Sequence, residues 1–60
     1  MKMLRARAVP MENERDLWQV IIERRINPDA NIWVEEEVKK ERLAHRDALL
    51  LAAKLDKQFD

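Results

Sequence analysis

The chain of 60 residues has no cysteine, glycine or tyrosine, and neither serine nor threonine occurs in it. Without cysteine there is no disulfide framework and no thiolate zinc site. Without glycine there is no phosphate-cradling glycine loop and no glycine-dependent two-residue hairpin turn. The hydroxyl and thiol nucleophiles of covalent catalysis are missing altogether. A single histidine argues against a protein-only metal cage. The expectation is a protein with no enzymatic activity, no cofactor and no metal.

Charge of one sign is also missing. Twelve basic residues balance twelve acidic ones, so there is no overall basic footprint for nucleic acid. No apolar run approaches the roughly 20 residues that span a bilayer. The N-terminus lacks the apolar stretch of a secretory signal. These absences lead to an expectation of a cytoplasmic protein without membrane contact.

Charged residues make up 40% of the chain and hydrophobic ones 47%. Residues 1–60 are read as one domain, and a lone core of that size is marginal without a staple. With disulfides and metal set aside, oligomerisation is the remaining device.

Pro10 and Pro28 punctuate the chain. They mark off a basic N-terminal arm over 1–9, a first helix over 11–26 and a second helix over 28–58. Acidic Glu12, Glu14 and Asp16 suit the start of the first helix, and Arg24 and Arg25 its end. Leu17, Trp18, Val20, Ile21 and Ile22 cover an arc of roughly 200° at helical spacing, wider than one packing partner requires. Asn27-Pro28-Asp29 reads as N-cap, first helical residue and first-turn acid. Glu35 with Lys39 and Glu36 with Lys40 stand at ion-pair spacing. A 3–4 repeat runs through Val34, Val38, Glu41, His45, Ala48, Ala52, Leu55 and Phe59, like a coiled-coil seam with a polar centre.

This predicts an all-α helical hairpin with unequal arms. The short arm, of about 15 residues, spans about 22 Å, and the long arm about twice that. Leu49, Leu50, Leu51, Leu55 and Phe59 would then stay bare in a monomer. Self-association into a dimeric four-helix bundle removes the deficit. The expected function is helix-mediated protein–protein interaction or self-assembly without catalysis. The partner would be a second copy, with a helical segment of another protein as a further option. The interface would be built from Leu17, Trp18, Ile21, Ile22, Trp33, Val34, Val38, His45, Leu49, Ala52, Leu55 and Phe59, with the two tryptophans as anchors. Glu41 and His45 would form a polar layer that sets register.

A second reading starts from the arm. Met3-Leu4-Arg5-Ala6-Arg7-Ala8-Val9 alternates apolar and basic residues, as a half-buried strand does, while its alanine, arginine, leucine and methionine equally suit a helical or frayed arm. With Pro10 before the next element, residues 3–45 resemble the ribbon-helix-helix family of DNA-binding dimers. That resemblance implies a small transcriptional regulator or antitoxin that reads DNA with a paired strand. Lys2, Arg5 and Arg7 would contact nucleic acid.

Overall fold

The computed structural model describes residues 2–59. Three strands, β1 (Leu4–Pro10), β2 (Trp18–Arg25) and β3 (Trp33–Leu43), precede one helix, α1 (His45–Gln58). The strands form an antiparallel sheet in the order β1-β2-β3. The all-α hairpin is therefore overturned, and with it the four-helix bundle and the coiled-coil seam. The ribbon-helix-helix dimer fails too, since two strands stand where its first helix and most of its second should be. Residues 11–26 are a loop and a strand rather than a first helix. Residues 28–58 are a turn, a strand and a shorter helix.

β2 is the central strand, and that explains the overly wide apolar arc. Val20 and Ile22 point to the face that carries α1, while Ile21 points to the other; all three are buried. A strand covered on both faces reads as a continuous apolar run. Drawn on a helical wheel, such a run spreads over too much of the circumference. The β-branched residues and Trp18 also favour a strand.

β3 looked helical for a different reason. Its 11 residues pair with the 8 of β2, and the register shifts three times, between Trp18 and Val20, Val20 and Ile21, and Ile22 and Glu23. Each bulge inserts an extra residue and breaks strict alternation. Val34 and Val38 thus stand four apart, yet they lie on opposite faces, opposite Arg24 and Ile21 respectively. The expected Glu36–Lys40 pairing is replaced by a cross-strand bond from Arg24 Nε to Glu36 Oε1 at 2.7 Å. Bulges and dense charge also blunt β3 as a free edge.

Asn27-Pro28-Asp29 forms a turn. The Asn27 side-chain oxygen accepts the Asp29 N–H at 2.9 Å, and its carbonyl accepts the Ala30 N–H at 3.1 Å. The same contacts open a helix, so the local signal is shared by both outcomes. The connections over 11–17 and 26–32 are long enough to need no two-residue glycine turn. Asp16 takes the left-handed conformation there, with φ 64°.

α1 lies across the β1–β2 half of one sheet face. Ala6, Val20, Ile22, Ala48 and Ala52 form the buried cluster, ringed by half-buried Leu4, Ala8, Trp18, Leu43, Leu51, Leu55 and Phe59. Alanines on both strand and helix let the backbones approach closely. The start of α1 is weakly anchored: Ala44 is the N-cap, with φ −63° and ψ 151°, and no side chain bonds the first turn. Ala44→Asp suits that geometry and is expected to add about 1 kcal/mol. Thermal denaturation should show it as a rise of about 4–8 °C in a domain this small.

The far end of α1 is tied to β1. The Ala6 N–H, turned away from β2, donates to Asp56 Oδ1 at 3.0 Å. Lys2 Nζ pairs with Asp56 Oδ2 at 2.8 Å. The Lys2 bond, reinforced by the Ala6 N–H and opposed by partial burial, holds the Asp56 carboxyl below its ordinary value. A depressed folded-state pKa stabilises the fold fully above the unfolded value, and that contribution is lost as pH falls through the folded one. Asp56→Asn should therefore cost about 0.5–1 kcal/mol near neutrality, modest because the site is part-exposed. Urea titrations from neutral to acid pH should show a flatter acid decline for the variant than for the wild type.

Candidate interaction surface

The sheet presents two faces of different character. The outer face, opposite α1, carries Arg5, Arg7, Ile21, Glu23, Trp33 and Glu35, as the strand register requires. Glu23 is buried to 8% exposure and sits between two guanidinium groups. Arg5 Nε donates to it at 2.7 Å, and Arg7 Nη1 reaches its other oxygen at 3.5 Å. Arg5 and Arg25 both lie over the Trp33 ring, at 4.2 and 4.9 Å from its centroid. The Trp33 Nε1–H donates to Asn31 Oδ1 at 2.9 Å.

The loop over 11–17 folds against this face and leaves an open groove of about 630 Å³. The loop is closed by the Met11 N–H to the Leu17 carbonyl at 3.0 Å. It is tied to β3 by the Arg42–Glu14 ion pair at 2.7 Å and by the Arg42 N–H donating to Met11 Sδ at 3.4 Å. Arg42 adopts φ 61°, unusual for a long side chain. Glu12, Glu14, Glu23 and Glu35 stand against Arg7 and Arg42 around the groove. Four carboxylates against two guanidinium groups leave the open trough net acidic, so it offers no attraction for an anion.

The proposed nucleic-acid residues are all engaged within the chain. Lys2 pairs with Asp56, and Arg5 and Arg7 pair with Glu23. Two carboxylates thus offset part of the arm's three positive charges, and Arg7 stays half exposed. Leu4, Ala6 and Ala8 face α1, and Arg5 and Arg7 face the other way.

The sequence-derived interface residues are scattered. Ile21, Ile22 and Ala52 are buried in the protomer itself. Leu17 is half-buried at the end of the first loop. Trp18 stacks on His45 with centroids 3.8 Å apart, so both rings are spent on holding α1 to β2. Glu41 lies in β3 and His45 opens α1, so the helical face that was to join them does not exist. Trp33 is held by the two arginines. Leu55 and Phe59 pack against the core, as does Leu51. The β1–β2 half of the sheet is what shelters them, so the argument from unequal arm lengths does not stand. Of that set Val34, Val38 and Leu49 remain accessible, at 43, 41 and 51% exposure, and His45 is exposed beside its stack; Leu50, at 62%, joins them.

Sequence reasoning missed the Glu23 clamp and the Glu14–Arg42 tie. Both join residues on different strands or loops, and only the strand register brings them together. Among the described residues no group of three or more acidic, histidine or cysteine side chains is placed to hold a metal ion. No described helix is long and apolar enough to cross a membrane.

No protein-family model, no curated protein and no solved structure matches this chain.

Proposed function

We propose that this domain is a non-catalytic protein-association module whose partner is a second copy of itself. The observation that carries the reading is an undersized core beneath an oversized surface. Among the described residues six apolar ones are buried, three of them alanines, and Val20 is the one larger side chain fully enclosed. The folded chain exposes 4584 Å², against about 4,100 Å² for a compact monomer of this mass. Its extents of 35 × 22 × 14 Å describe a thin slab. Ile26, Ile32, Val34, Val38, Leu49 and Leu50 all remain more than two-fifths exposed. Burying such a side chain contributes about 1.5–3 kcal/mol, a large sum beside the few kcal/mol of stability a chain this short retains.

Non-catalytic action is supported by the lack of hydroxyl and thiol nucleophiles and by the stacking of His45 on Trp18. Sedimentation equilibrium at micromolar concentration tests the reading: a dimer is expected, and a well-folded monomer at every concentration refutes it. The same preparation should leave duplex DNA unshifted at low salt, since Asp56 and Glu23 offset two of the arm's three cations. A salt-sensitive shift lost on Arg5→Ala would replace this reading with nucleic-acid binding.

A further inference from the structure

Because α1 covers β1 and β2 and touches β3 little, the helix-side face of β3 stays open. Val34, Glu37 and Lys40 lie on it, opposite Arg24, Ile22 and Val20, and all three are exposed. Glu36 stands beside them, bonded to Arg24. Ile26 and Ile32, joined by a backbone bond of 3.1 Å, extend the apolar part toward the turn. The shelf is thus apolar at its turn end, bordered there by Glu37 and by the exposed Arg24–Glu36 ion pair, with Lys40 further along.

The solvent side of α1 has the opposite character. Arg46, Leu49, Leu50, Ala53, Lys54 and Lys57 recur at helical spacing and are all exposed. The stripe holds three cations and no acid. Asp56 is turned away from it to Lys2 and Ala6, and Asp47 borders it.

We infer that α1 of one copy lies on the open β3 shelf of a second copy, and reciprocally, about a two-fold axis parallel to the helices. The inference rests on the self-association proposed above and names its surface. A closed two-fold contact requires each copy to offer both complementary patches. Here the patches lie side by side on one face of the slab, the helix over one half of the sheet and the gap over the other. Turning a second copy over about an axis along α1 drops each helix into the other's gap. The two helices then run parallel in one layer between two sheets. That same operation brings the Lys54–Lys57 end of the stripe toward Glu36, Glu37 and Val34, because α1 and β2 run the same way. An axis across the helices would instead stack helix on helix and place cations against cations. Strand-to-strand pairing is disfavoured, since Asp56 occupies the β1 edge and bulges disrupt β3.

The test uses two double variants, Lys54→Glu with Lys57→Glu, and Glu36→Lys with Glu37→Lys, read by sedimentation equilibrium with circular dichroism as a fold control. Each double variant alone should dissociate at least tenfold more readily than wild type, because like charges face each other at both contacts. Mixing the two should restore a dimer, since both contacts then join opposite charges. Dimeric wild type with double variants that dimerise equally well overturns the surface while leaving self-association standing. Double variants that stay monomeric when mixed also overturn it. A monomeric wild type overturns self-association itself, and the surface with it.

Discussion

Ala48→Asp is expected to abolish the folded state. Ala48 has no exposure and packs in the cluster with Val20, Ala6 and Ala52. A carboxylate there has no cation within the cluster to pair with. It would be buried uncompensated or held protonated, at a cost of several kcal/mol. A domain of this length has about 3–9 kcal/mol to lose. Circular dichroism should show loss of both strand and helix signal and no cooperative thermal transition. Ala53→Asp, on the exposed side of the same helix, should keep the folded spectrum. Equal collapse of both variants would contradict the orientation of α1 on the sheet.

Glu23→Ala is expected to cost about 2–3 kcal/mol, the scale of losing hydrogen bonds to charged partners at a mostly buried position. Two guanidinium groups lose their counter-charge at once, and the Arg5 stack on Trp33 loses the bond that orients it. A double-mutant cycle with Arg5→Ala should return a coupling energy of about 1–2 kcal/mol. Tryptophan emission should shift with Glu23→Ala as Trp33 is released. Additive single effects with unchanged emission would show that the clamp contributes little. Urea denaturation followed by fluorescence reads both quantities together.

Some of this fold is written plainly in the residues. The Leu4-Arg5-Ala6-Arg7-Ala8 alternation suits a strand with one basic face, though the same residues also form helices well; β1 takes the strand. The stretch from His45 onward, rich in leucine and alanine, is helical, with Ala48, Ala52, Leu55 and Phe59 turned to the core. The middle of the chain was harder to read because two patterns imitate a helix. β2 is covered on both faces, so its apolar residues do not alternate. β3 carries three bulges, so its apolar residues fall four apart. The turn at Asn27-Pro28-Asp29 adds a third imitation, since an Asx turn and a capped helix start share their first contacts.

The candidate surface was legible only in part. Val34, Val38 and Leu49 are accessible, but the helical seam had joined Val34 and Val38 to Ala52, which lies inside the protomer. A one-dimensional pattern assigns every apolar residue to the same interface. Only the strand register separates those that complete the core from those left over. The basic arm was misjudged for a related reason. Its cations count as free charge in the sequence, and Asp56 and Glu23 reach them from elements 16 to 54 residues away.

The claim on which the account turns is that a second copy covers the open side of the sheet. An isotope-filtered nuclear Overhauser experiment on a mixture of labelled and unlabelled protein measures this directly. Cross-peaks between the Leu49 and Leu50 methyls of one copy and the Val34, Glu37 or Lys40 side chains of the other are expected. Intermolecular contacts confined to Val38 and Trp33 on the outer face, or none at millimolar concentration, would contradict it.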